Sequence, residues 1–188
     1  MAAVQPTIVE HRLTLAELLD WLVEDKQVAK DAAEQLKKER RYYKGASHAL
    51  LMIADQKWKS LQPPQRLLSL EWLTEWMARR VGLDYMHIDP LKIDFSAVTE
   101  VMSSAYATRF HVLPVSVNTK EAVIATAEPY LRDWERELAK ILKLEVRRVI
   151  ANPVDIDRYQ VEFYNLAKSI KGANKAGTAT SGIGNFEQ

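Results

Sequence analysis

Apolar residues recur along this chain first at helical spacing and later at alternating helical and strand spacing. Leu15, Leu18, Leu19 and Leu22 mark one face of a short helix, with Thr14 as its cap. Asp25-Lys26-Gln27 interrupts the pattern, and Val28, Ala32, Ala33 and Leu36 begin a second helix that ends in the charged run Lys37 to Arg41. The two form a hairpin with little core of its own, so it must pack on something else. His48 to Ala54 is too short for periodicity to separate a buried strand from a helical turn. Pro63-Pro64 is a firm break. Beyond it Leu67, Leu70, Leu73, Trp76, Met77 and Val81 predict a helix stopped by Gly82.

The remaining elements follow in the same way. Pro90 biases Asp89 toward extended backbone, and Ser96 caps a helix over Ser96 to Phe110 whose apolar face is Val98, Val101, Met102, Ala105 and Phe110. Val112 to Val117 and Ala122 to Ala127 are strand-like runs joined by Asn118-Thr119-Lys120-Glu121, a hairpin-sized connection. Leu131, Trp134, Leu138, Ile141 and Leu142 mark another helix, Leu144 to Ile150 a third strand, and Ile156, Tyr159, Phe163, Leu166 and Ile170 one face of a final helix. A helix between the second and third strands makes those two parallel. The expected fold class is α+β: an N-terminal helical subdomain at 1–62, then a small mixed three-to-four-stranded sheet packed with helices at 65–171. Residues 172–188, rich in Gly, Ala, Thr and Ser, are expected to be a flexible linker.

Composition narrows the chemistry. The 188 residues carry a net charge of +1, which gives no push toward nucleic acid or anionic lipid, and the absence of cysteine excludes disulfides and thiolate metal sites. No apolar run reaches the roughly 20 residues of a membrane-spanning helix. Gly177-Thr178-Ala179-Thr180-Ser181-Gly182 has phosphate-loop glycine spacing, but Ile183 and Gly184 stand where that motif needs Lys and Ser or Thr. The expectation is no catalysis in this segment. The four histidines are scattered, so no metal site is expected. The run Lys37 to Lys44 is assigned to helix C-terminal cations ahead of a nucleic-acid grip. Trp21 and Trp72 fall off their helix stripes and are the better placed tryptophans for an exposed contact.

The stretch Tyr85 to Arg109, YMHIDPLKIDFSAVTEVMSSAYATR, together with Arg147 to Pro153 and Arg158 to Ile170, resembles the N-terminal domain of type II secretion and type IV pilus assembly ATPases, the GspE/PilB group with MshEN-like domains. The resemblance runs from about Leu15 to about Lys171 and is densest after Leu67. It implies a docking domain that couples a hexameric motor, absent here, to the cytoplasmic domain of an inner-membrane platform protein. ATP, Mg and hexamer formation are then expected only in the motor. The location implied is cytoplasmic, peripheral to the inner membrane through that partner, without insertion. Leu15, Leu18, Leu19, Trp21, Leu22 and Val28 are the expected partner anchors. Some relatives bind cyclic di-GMP through a motif that begins Arg-Leu-Gly and carries a second glycine. Here Thr14 follows Arg12-Leu13, and Lys26 stands at the second glycine position. Under that alternative, a cyclic di-GMP-sensing domain, Arg12, Arg40 and Arg41 are the residues to stack on guanine.

Overall fold

A computed structural model of the chain describes residues 10–40 and 48–179, with side chains as far as residue 173. Eight α-helices and a three-stranded sheet among these residues make an α+β fold. Helix α1 spans Leu15–Glu24, and Thr14 opens it with a full capping box in which Glu17 reaches back to the cap. Helix α2 is Lys30–Glu39 and α3 is Ala49–Ala54, which settles His48 to Ala54 as a helical turn. Helix α4, Leu70–Val81, is capped by Ser69, so that Leu67 falls outside it, and stops as expected at Gly82 in the left-handed region, φ 70°.

The expected single helix over 96–110 divides into α5, Phe95–Val98, and α6, Ser104–Phe110. Asp94, and not Ser96, caps α5 by accepting from the Ala97 N–H. The Thr99 hydroxyl donates back to the Phe95 carbonyl, and Ser103 caps a fresh start, so local side-chain bonding breaks the ladder. Val101 and Met102, in the break, are still buried.

Strands β1, Val112–Val117, and β2, Glu121–Thr126, pair antiparallel, with an irregularity in register between Pro114 and Ser116. Helix α7, Asp133–Leu142, crosses over to β3, Glu145–Ile150, which lies parallel to β2. Strand β2 is central and covered on both faces: Val123 and Ala125 join one buried cluster with Ile156 and Phe163, while Ala122 and Ile124 join another with Trp134 and Leu138. Helix α8, Pro153–Ala179, supplies residues to both clusters. Its buried face is Ile156, Gln160, Phe163, Tyr164 and Ala167, leaving Leu166 and Ile170 exposed, against the stripe expected. The helix also runs through 172–179, where a linker was expected; residues 180–188 lie outside the described set.

The boundary expected at Pro63-Pro64 does not divide the core. Leu15, Leu18, Leu19, Leu22, Val28 and Leu36 pack in one cluster with Leu68, Leu73, Met77 and the β3 residue Ile150. The leucine stripe of α1 is therefore sealed inside the molecule: Leu18, Leu19 and Leu22 are 0 % exposed. This corrects the expected partner surface. In the folded chain Leu15, Leu18, Leu19, Leu22 and Val28 offer nothing to a partner, because burying them on α3 and α4 is what holds the short hairpin in place. Trp21 alone of that set keeps a partly exposed side chain.

Candidate functional site

A cleft of about 400 Å3 opens at the seam between the helical layer and the sheet unit. One wall comes from the segment before α1, the end of α2 and the start of α3; the other from the end of α6, the loop after β2 and the start of α8. Its charged and titratable lining is Arg12, Arg40, His48, His111, Glu128 and Asp157. Two of the three arginines singled out in the sequence therefore meet at one opening, although 28 positions separate them; Arg41 lies outside the described residues.

Main-chain bonds lock the floor. Glu128 follows β2, with its N–H on the Thr126 hydroxyl at 3.0 Å, and its carboxylate accepts the Leu13 N–H at 2.9 Å. The same loop is held from below, where Arg148 donates to the Pro129 carbonyl at 2.6 Å. Burial raises the Glu128 carboxyl above its ordinary range. His48 caps α3: its Nδ1 accepts the Leu50 N–H at 3.2 Å, which leaves Nε2 as the donor to the Ala127 carbonyl at 3.0 Å. Burial pushes the imidazole down to about 4, so it stands neutral beside the Glu128 oxygen 3.5 Å away. With both nitrogens committed to main chain, His48 is a structural cap and not a proton carrier. His111 ends α6 in the left-handed region, φ 50°, with Nδ1 3.2 Å from Asp157. The cleft can thus offer guanidinium groups at its rim and a carboxylate acceptor at its floor, and among the described residues it pairs no nucleophile with a base.

The state of His48 carries a pH signature. An imidazole held at about 4 in the fold and at 6.5 in the unfolded chain means that the unfolded chain binds more protons between these values. Its contribution is complete above pH 6.5 and is lost as pH falls toward 4, amounting to about 2 kcal/mol by pH 5. The raised Glu128 carboxyl acts in the opposite sense, and Arg12, His111 and Asp157 also face this group. The clean comparison is therefore with His48→Asn, which keeps an N-cap acceptor. Denaturant unfolding at pH 7 and pH 5 should show a pH dependence smaller in the variant by about that amount.

Next to the cleft lies an aromatic patch that the sequence only hinted at. Trp21 of α1 packs edge-on to Trp76 of α4 at 6.5 Å and to Tyr130 at 6.3 Å. Trp72 stacks on Trp76 at 6.3 Å, and the Arg80 guanidinium lies over Trp21 at 5.5 Å. Asp25 fixes the group by accepting from the Trp76 indole N–H at 2.8 Å and from Arg80. His11 stacks on Tyr130 at 5.1 Å and so links the patch to the segment that carries Arg12. Trp21, Trp72 and Tyr130 are all partly exposed. The off-stripe position of Trp21 and Trp72 was the one signal of this patch in the sequence; Tyr130 and the packing of α1 side chains on α4 were not visible there.

Residues 81–170 match the MshEN domain. That span includes His111, Glu128 and Asp157 but neither Arg12, Arg40 nor His48, so half of the cleft lies outside it. The chain is 32% identical over 130 residues to the type IV pilus assembly ATPase TfpB of Acinetobacter baylyi, a match covering 69% of this chain and 22% of that protein. The chain therefore spans about a fifth of its relative's length. Among solved structures it is similar to MshE with cdg, at a TM-score of 0.50 and 18% identity over 81% of this chain and 100% of that one. A looser likeness, with a TM-score of 0.45 and 16% identity, is to the N-terminal domain of XpsE, over 80% of this chain and 96% of that one. No helix among the described residues is long and apolar enough to cross a membrane.

Proposed function

We propose that this chain, in which residues 81–170 match the MshEN domain and which is similar over 130 residues to a type IV pilus assembly ATPase, docks a secretion or pilus assembly motor onto the cytoplasmic domain of an inner-membrane platform protein. Hydrolysis of ATP with Mg then belongs to the motor, and this domain transmits position. The observation that carries the reading is the patch of Trp21, Trp72, Tyr130 and Arg80. Partly exposed Trp, Tyr and Arg side chains held rigid by their own packing are the residue types that dominate binding energy at protein interfaces. They stand where the buried leucines were expected to act. The test is a pull-down with the platform protein's cytoplasmic domain. Arg80→Ala, and Trp21→Ala at unchanged melting temperature, should each weaken capture about tenfold or more. Equal capture by both removes the patch from the interface.

A second reading rests on a separate observation, the presence of Arg12 and Arg40 on one cleft. Two guanidinium groups at the rim suit the phosphates or guanine faces of cyclic di-GMP, and the Glu128 carboxylate suits a guanine N–H edge. A ligand there would touch both the helical layer and the sheet unit, and so could report on the state of the docking domain. Calorimetry with cyclic di-GMP should show heat that Arg12→Ala and Arg40→Ala each reduce about tenfold. A flat titration of the intact chain ends this reading and leaves the docking role standing.

A further inference from the structure

Away from the cleft, three ligand-type side chains from distant parts of the sequence converge. Glu71 lies in the first turn of α4, His87 in the extended segment after it, and Asp155 in the first turn of α8. Their ligand-capable atoms all lie within 4.8 Å of one another. Glu71 Oε1 is 3.0 Å from His87 Nδ1, while its other oxygen accepts from Asn152 Nδ2 at 3.1 Å. Asn152 therefore turns one Glu71 oxygen toward the imidazole. Asp155 Oδ1 is held by Arg158 at 2.8 Å, and its side chain is only 15% exposed.

We propose that Glu71, His87 and Asp155 form a binding site for a divalent transition-metal ion of the Zn2+ class. An imidazole nitrogen with two carboxylate oxygens suits zinc or a neighbouring transition metal, whereas magnesium and calcium take oxygen ligands alone. Zinc bonds of about 2.1 Å bring ligand atoms to within about 3.5 Å of each other in a tetrahedral site. The Glu71–His87 pair already stands at such a separation, and Asp155 completes the set by turning away from Arg158. Three protein ligands leave the fourth position to water, and the 67% exposure of the His87 side chain gives an open approach. Asn152 behind Glu71 supplies the orienting outer contact that such sites use. The bound ion clasps α4, the segment ahead of Pro90 and the root of α8.

The alternative is two ordinary ion pairs, His87 with Glu71 and Arg158 with Asp155, and the two arrangements respond oppositely to loss of Arg158. The experiment is calorimetric titration of the whole chain with zinc chloride in a non-chelating buffer, with melting temperature recorded in parallel. One zinc per chain is expected, with a zinc-dependent rise in melting temperature. His87→Ala and Glu71→Gln should each weaken uptake at least tenfold and abolish that rise, while Arg158→Ala should tighten uptake several-fold by freeing Asp155. Absence of saturable uptake by the intact chain, uptake that survives both ligand variants, or weaker uptake on loss of Arg158 overturns the assignment. None of these outcomes bears on the docking patch, which shares no residue with this site.

Discussion

Leu18→Ala should lower the unfolding free energy by about 3–4 kcal/mol, since a fully buried leucine loses both its transfer energy and the packing around the cavity it leaves. For a chain of this size that is a fall in melting temperature of roughly 10 °C. The effect is large because Leu18 is fully enclosed in the cluster that joins the hairpin to α3 and α4. Helix α1 contacts α2 and α3, and its leucines share a cluster with Leu73 and Met77 of α4. Opening a cavity there loosens the hairpin from the rest of the chain. An exposed docking leucine would behave otherwise, losing partner binding with stability changed by less than about 0.5 kcal/mol. Thermal unfolding of the variant separates the two.

Trp134→Ala should be as costly, about 3–5 kcal/mol. Trp134 is 0 % exposed beneath the sheet, in the cluster of Val112, Ala122, Ile124 and Leu138, and its indole N–H reaches the Leu131 carbonyl at 3.1 Å. Removing it empties the space between α7 and the sheet and also takes the indole donor from the Leu131 carbonyl. Because α7 is the crossover that makes β2 and β3 parallel, the loss should be read first in near-ultraviolet dichroism and in the denaturation midpoint. The aromatic patch should persist, since Trp21, Trp72 and Trp76 belong to the other cluster.

The parts of the fold legible in the sequence are those governed by neighbours in the chain. Gly82 stops α4 because caps act within a turn, and the hairpin-sized connection from Asn118 to Glu121 closes where Asn118 accepts from the Lys120 and Glu121 N–H groups. The parallel pairing of β2 and β3 followed from the helix between them. What covers a stripe is a different kind of question. The 3.6-residue period shows that Leu15, Leu18, Leu19 and Leu22 face one way, but α3 and α4 cover them from across the Pro63-Pro64 break, and no local rule announces that. Arg12 meets Arg40, and Glu71 meets His87 and Asp155, only once the helices and sheet are assembled. The split at Thr99 to Ser103 has a local cause, for Thr99 and Ser103 are both residues that draw backbone groups out of a helical ladder.

The most direct test of the docking reading is amide hydrogen exchange on the chain with and without the platform protein's cytoplasmic domain. Slower exchange on binding should map to 15–24, 70–81 and the loop around Tyr130, the three pieces that build the tryptophan patch. Protection confined to α8 or the outer edge of β1, or no change at saturating partner, would contradict it.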